Sequence, residues 1–291
     1  MKFWQSLFLS EAEQLYDLAK IAEELGFDGV MISDHLLYFE QMQLRYPYSA
    51  DGAPPFFTGQ TVWPECWSVI AGLAAITERL RFVTNVYIVP LRHPIELAKA
   101  ISSVAAFNEG RVILGAGAGW MREEFDAVGV EFETRGKRFD ECIAVLRKLW
   151  TGELVEHHGD FFEFPEVQMC PVPSESIPVY IGGASPAALR RTARLGDGWL
   201  GPGQSVEDAI EMLKRIDLLR AEAGRASEPF DAVVPLNGPP ARDDVERLRD
   251  GGGGGAVSLP FAFTLGIKST LEQKRAYMER YANDVISKMR G

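Results

Sequence analysis

The chain has 291 residues, 46% of them apolar, and a net charge of -11. That is room for one large domain or two small ones with a sizeable core, and the acidic balance argues against a nucleic-acid binder, which would carry a basic face. Three cysteines lie far apart with no C-x-x-C, so neither a disulfide framework nor a zinc ribbon is supported and a reducing compartment suits them. The opening MKFWQSLFLSEAEQ turns acidic too soon for a signal peptide, and no apolar run reaches the length of a membrane span. The expectation is one cytoplasmic domain over residues 1–291, with no membrane or nucleic-acid partner.

Lys2 to Leu9 reads as a strand. A helix begins at Ser10, with Glu11 and Glu13 suited to the positive end of its dipole, an apolar face of Leu15, Leu18, Ala19, Ala22 and Leu25, and an end at Gly26. Asp28 to Asp34 is the second strand and runs into His35. Leu36 to Trp63 shows no regular pattern but carries Tyr38, Phe39, Tyr46, Tyr48, Phe56, Phe57 and Trp63, with Pro47, Pro54 and Pro55. So aromatic a stretch does not read as disordered. It reads as an ordered lid over a site, the alternative being a patch packed on the barrel wall or a second subunit.

Helix Pro64 to Ile76, strand Leu80 to Val89 and helix Pro94 to Phe107 follow, with His93-Pro94 as a helix start. Strand Arg111 to Trp120 enters a glycine-rich turn, Gly115-Ala116-Gly117-Ala118-Gly119-Trp120, whose sixth position is not the glycine of a dinucleotide fingerprint. Small residues there serve either a flat ligand or a tightly packed layer. A short helix, Arg122 to Val128, starts with Glu123-Glu124, read as helix N-terminal charges because adjacent helical residues do not share a face. After helix Thr134 to Trp150 comes an inserted hairpin built on His157 to Phe164, with His157-His158 at a solvated tip and no third ligand spaced for a metal.

Val179 to Ile181 is a strand that breaks on Gly182-Gly183 into a helix capped by Ser185, with Pro186 in its first turn. Such a turn suits a phosphate, or is simply a tight strand-to-helix connection. The remaining elements are strand Gly198 to Leu200, helix Ser205 to Ala223, strand Asp231 to Leu236, helix Arg242 to Asp250, strand Gly255 to Phe261 and helix Ser269 to Met289. The run Gly251 to Gly255 is either mobile or held against a neighbour. Eight strand-then-helix units in strict alternation predict a (β/α)8 TIM barrel, with the lid inserted after strand 2 and the hairpin before strand 5. A doubly wound sheet would place its glycine fingerprint after the first strand, where SEAEQ stands instead. In a barrel all strand ends share one mouth. His35 closes an apolar strand there and suits proton transfer, unless it is a structural histidine bonded to a carbonyl.

Four stretches in order, GFDGVMISDH, RFVTNVYIVPLRHPIELAK, GRVILGAGAGWMREEF and PVYIGGASPAALRRTARLGDGW, resemble the bacterial luciferase-like flavin and deazaflavin oxidoreductase family. The resemblance runs from Met1 to about Leu200; the last third fits the fold but carries little motif. It implies a barrel that is usually a homodimer and binds either coenzyme F420 or reduced FMN. It also implies a non-prolyl cis peptide at Asn85-Val86 facing the ring, a phosphate site at Gly182, Gly183 and Ala184, and His35 beside the ring. The expected cofactor-binding set is Asp34, His35, Thr84, Asn85, Val86, Gly117, Gly119, Trp120, Ile181, Gly182, Gly183 and Ala184, with His35 catalytic. The sugar-phosphate dehydrogenase branch has a glutamate where Ala118 stands, so its reaction is not expected. The wording ISDH and GAGAGWMREEF is nearest to deazaflavin members. The expected activity is hydride transfer between F420 and a small apolar or aromatic substrate; the alternative is an FMN monooxygenase using oxygen, and a third possibility is a non-catalytic flavin-binding protein.

Overall fold

A computed structural model describes residues 1–42, 46–49, 51–53 and 58–291. The strands are β1 (Lys2–Ser6), β2 (Gly29–Ile32), β3 (Arg81–Thr84), β4 (Val112–Gly117), β5 (Val179–Gly182), β6 (Gly198–Leu200), β7 (Asp231–Val234) and β8 (Gly255–Ser258). Each pairs in parallel with its sequence neighbours. Lys2↔Gly255 and the pairs after it join β1 to β8 and close the ring. The expected eight-stranded barrel is therefore the fold.

Period-two alternation builds it in two layers. One side chain from every strand points inward: Trp4, Met31, Val83, Ile113, Tyr180, Leu200, Val233 and Val257 form the barrel interior. Their neighbours, such as Phe3, Val30, Phe82, Leu114 and Ile181, face outward into the apolar layer under the helices. The large inward rings need space, and glycine provides it. A Cβ on Gly29 would run into the Trp4 ring, and one on Gly198 into Tyr180.

The barrel helices are α1 (Leu15–Glu24), α2 (Cys66–Ala74), α3 (Pro94–Phe107), α4 (Arg135–Leu149), α5 (Pro186–Leu195), α6 (Val206–Glu222), α7 (Arg242–Asp250) and α8 (Leu271–Tyr281). Several of these helices are capped by side chains: Glu65 accepts from Trp67 and Ser68, His93 from Ile95, Ser185 from Ala188 and Ser205 from Asp208. Each cap satisfies an N–H that the helix itself leaves open.

Some boundaries differ from the sequence reading. The first strand stops at Ser6, and Leu9 turns with φ 58. Leu7 to Leu9 read as strand because they are apolar, yet Phe8 packs on Trp63 at the mouth instead. The eighth strand stops at Ser258, followed by a short helix, Phe261–Thr264. The glycine run lies against neighbours: Lys2 donates to the Gly254 carbonyl, and Gly254 N–H donates to Ala232. The hairpin pairs Val155–His158 with Glu163–Val167. Its tip is only half solvated: His158 is exposed, but His157 is buried, stacks on Phe164 and meets Glu141 of α4 at 3.1 Å. No helix among the described residues is long and apolar enough to cross a membrane.

Candidate active site

The carboxyl ends of β2, β3, β4 and β5 bring the sequence-predicted groups to one rim. At β3 the chain breaks its ladder: Asn85-Val86 is cis, and strand pairing resumes at Tyr87–Ile88 beside β4. Asn85 is tied to β2 from both sides, its N–H to the Ile32 carbonyl at 2.6 Å and its carbonyl to the Ser33 hydroxyl at 3.1 Å. The Val86 side chain wedges between β4 and β5. A Cβ on Gly117 or on Gly182 would meet it well under 3 Å away. Those glycines are thus required by the protein's own packing, and Val86 caps the interior ring on the mouth side.

Asp34 does not turn toward His35. Its side chain is 2% exposed and grips Arg92 through both oxygens, at 2.6 and 2.7 Å, while Oδ2 also accepts the Ile88 N–H at 2.9 Å. Arg92 is 15% exposed and lies over the Tyr87 ring at 4.2 Å. Burial alone would weaken its hold on its proton, but the Asp34 charge and hydrogen bond, joined by Tyr87 and Cys66, together more than reverse this. The pair ties the end of β2 to the segment beyond the cis bond. Thr84 is wholly buried, with its hydroxyl engaged by Gly115, and Ile181 faces the helical layer. Gly119, at φ 84, makes the turn toward Phe125.

His35 is held by a residue the sequence reading set aside. Its Nδ1 lies 3.2 Å from Oε2 of Glu124, whose side chain is completely buried. Oε1 of Glu124 accepts the N–H groups of Leu36 at 2.6 Å and Leu37 at 3.4 Å. Glu124 does stand in the first turn of its helix, as expected, but it is buried and bonded to the end of β2 as well. The short helix Arg122–Ala127 buries Glu124 and Phe125, and Met121 just before it is buried too. The signal was present: positions 121, 124, 125 and 128 share one helical face, and that face is otherwise apolar.

Aromatic rings line the rim around this pair. Phe263 meets Phe8 at 5.8 Å, Phe8 meets Trp63 at 5.3 Å, and Trp63 meets His35 at 4.8 Å. The line continues from His35 to Trp120 at 5.8 Å, to Tyr46 at 5.2 Å and to Tyr48 at 5.5 Å. Tyr46, Tyr48 and Trp63 come from the stretch expected to form the lid, which has no helix or strand among its described residues. Pro54, Pro55, Phe56 and Phe57 of that stretch lie outside the described residues. Burial, then the neighbouring Tyr48, pushes the Tyr46 phenol up to about 12.

The line of rings ends at the turn after β5. Gly183 has φ 109, a conformation L side chains rarely adopt. Its N–H donates to the Leu200 carbonyl at 3.2 Å, and its carbonyl accepts from the Trp199 indole at 2.8 Å. A Cβ there would stand 3.2 Å from Ala188 and 3.4 Å from the Tyr48 hydroxyl. Ser185 and Pro186 start α5 as the sequence predicted. His35, Asn85-Val86, Gly117, Trp120 and Gly182-Gly183 thus converge, while the side chains of Asp34, Thr84 and Ile181 turn elsewhere.

The profile of the family described as luciferase-like monooxygenase matches residues 6–250. A Mycobacterium tuberculosis protein named only as uncharacterized is 37% identical over 292 residues, 99% of this chain and 100% of the relative. The F420-dependent glucose-6-phosphate dehydrogenase of Intrasporangium calvum is 30% identical over 287 residues, 94% of this chain and 77% of that one. The crystal structure of monooxygenase RslO1 from Streptomyces bottropensis shares the fold with a TM-score of 0.79 at 21% identity, covering 99% of this chain and 100% of that one. A closed barrel and a family profile over most of the chain agree: the chain belongs to the luciferase-like monooxygenase family and is an oxidoreductase.

Proposed function

We propose that the protein is an F420-dependent oxidoreductase that moves a hydride between the deazaflavin and a small apolar or aromatic substrate, with His35 exchanging the balancing proton. The observation that carries this reading is the continuous line from His35 through Trp120, Tyr46 and Tyr48 to Gly183. It joins a proton-transfer group to a glycine turn at a helix start along one rim. The residues present fit such a cofactor. Val86 fills the barrel's mouth, so a flat ring has a surface to lie on rather than a hole to enter. The bare Gly183 leaves a place that a side chain would crowd. Asn85, Val86, Gly117 and Trp120 would hold the ring. The N–H groups of Ala184, Ser185 and Ala187, at the positive end of α5, would hold the phosphate. Once bound, a deazaflavin supplies a carbon that gives or accepts a hydride. The aromatic line would exclude water and offer apolar surface to the substrate. Ala118 stands where the sugar-phosphate branch has its acid, so glucose 6-phosphate is not the substrate in this reading. The reading carries with it a cytoplasmic homodimer.

Titrating the purified protein with F420 and, separately, with FMN tests the proposal. Saturable F420 binding with weaker FMN binding is expected; tight FMN binding with none of F420 overturns it. The second reading, an FMN monooxygenase, draws on the shared fold with RslO1. Oxygen uptake on substrate addition would favour it.

A further inference from the structure

We infer that Glu124 is the positioning residue that keeps the proton of neutral His35 on Nδ1, so that Nε2 is the nitrogen that takes up and releases the proton at the mouth. The argument rests on which oxygen does what. Oε1 of Glu124 already accepts two backbone N–H groups, Leu36 at 2.6 Å and Leu37 at 3.4 Å. Oε2 faces His35 Nδ1 at 3.2 Å. An ionised carboxylate can only accept, so the bond to Nδ1 requires the imidazole to donate there. In the neutral ring the lone pair then sits on Nε2. The ring stands between Trp63 and Trp120 at 4.8 and 5.8 Å, an edge-on packing that limits its freedom to flip. Glu124 is completely buried and reaches His35 across 89 residues of sequence, past the end of β3, so the contact is built by the side-by-side pairing of β2, β3 and β4. The same carboxylate fixes the first two residues of the irregular stretch after His35. One side chain thus sets both the histidine's tautomer and the root of the irregular stretch that follows it.

This inference rests on the proposed role of His35 in proton transfer, but its test does not need the cofactor. The chain has four histidines, which makes nitrogen-15 labelling of imidazoles tractable. His35 is assigned by comparison with His35→Gln, and the wild-type ring is observed on the alkaline side of its titration. The expected result is a proton on Nδ1 and a pyridine-type Nε2. In Glu124→Gln the amide oxygen can keep Leu36 and Leu37, while the NH2 group replaces Oε2 and becomes a donor toward Nδ1. The tautomer is therefore expected to invert, with the proton moving to Nε2. A wild-type ring protonated on Nε2 overturns the inference even if the variant does not fold. So does a Glu124→Gln ring that keeps its proton on Nδ1. Failure to bind F420 would defeat the functional reading and leave the tautomer result standing, so the two failures are distinguishable.

Discussion

Replacing Asp34 by alanine tests whether the rim is held together by a buried ion pair. The substitution removes two charged contacts to Arg92, at 2.6 and 2.7 Å, and one acceptor for Ile88 N–H at 2.9 Å. Removing one partner of a buried pair costs about 3–5 kcal/mol, because the other charge is left without compensation. Arg92 keeps the Ile88 carbonyl at 3.1 Å and the Tyr87 face, and its side chain is 15% exposed, so the low end of that range applies, about 3 kcal/mol. At roughly 2–4 °C per kcal/mol for a domain of this size class, Tm should fall by about 6–12 °C. Urea denaturation and thermal scans of Asp34→Ala, Arg92→Met and the double variant form a cycle. The double variant should be less destabilised than the sum of the singles by about 1–3 kcal/mol, since it leaves no orphan charge. Glu24→Ala, which breaks the exposed pair with Arg275, is the control and should leave the urea midpoint almost unmoved. An Asp34→Ala midpoint as close to wild type as the control's, or strict additivity in the cycle, would refute the idea that this pair is what ties β2 to the segment after the cis bond.

Three further outcomes are expected. Gly117→Ala and Gly182→Ala each drive a Cβ into the Val86 side chain and should cost about 1–3 kcal/mol by urea denaturation, with Val86→Ala relieving part of the loss; no rescue would mean the wedge is not the reason for these glycines. Gly183→Ala, at φ 109, should cost about 1–3 kcal/mol and weaken F420 binding, whereas Ser185→Ala should cost about 1 kcal/mol through loss of the cap alone. Stability should also fall at alkaline pH. Burial pushes the phenols of Tyr87, Tyr180 and Tyr281 well above the usual tyrosine range. Between about pH 10 and 11 the unfolded chain loses these protons and the folded chain keeps them, so the unfolded state binds fewer protons and stability declines as pH rises. At roughly 1 kcal/mol per phenol, the three together take about 3 kcal/mol over that interval. A urea midpoint flat from pH 9 to 11 would contradict it.

What could be read from the chain were features that repeat or stay local. Alternation within each strand, helical spacing, and caps such as Ser185 and Ser205 are settled within a few residues, so the eight units and most helix starts follow from them. The cis bond at Asn85-Val86 came from resemblance, not from residue chemistry. The misplaced ends share a cause. Phe8 is apolar because it packs on Trp63 at the mouth and Phe261 because it packs on Tyr277 in the helical layer, and from sequence alone an apolar loop residue is indistinguishable from an apolar strand residue. The missed partners share another. Asp34 finds Arg92 58 residues away, Glu124 finds His35 89 away, and His157 finds Glu141 on a helix that precedes it by 16. Such pairings depend on which strands close side by side, which no local pattern encodes. Glu124 was nevertheless within reach, because a charged residue on the buried face of a short helix calls for a partner.

The filled barrel explains why these long-range pairs matter more than the irregular stretch after β2 does for the chemistry proposed. Eight inward side chains and the Val86 wedge leave the interior to the protein itself, so a ligand has only the rim to rest on. A rim made of loop backbone alone would drift. Here each rim position is referred to another strand: Asp34 from β2 to the segment after β3, Glu124 from beyond β4 back to β2, and Gly183 from β5 to Leu200 of β6. The register of the barrel is thereby passed on to the rim through fixed distances. Tyr46, Tyr48 and Trp63, by contrast, touch that rim through ring contacts, which tolerate exchange of one aromatic for another better than a charged hydrogen bond tolerates loss of its partner. It follows that Trp63→Phe, which stays clear of the Gly183 turn, should change which substrate is accepted while leaving cofactor affinity in place. Substitutions of Asp34 or Glu124, which need touch no ligand, should disturb cofactor affinity and proton transfer together.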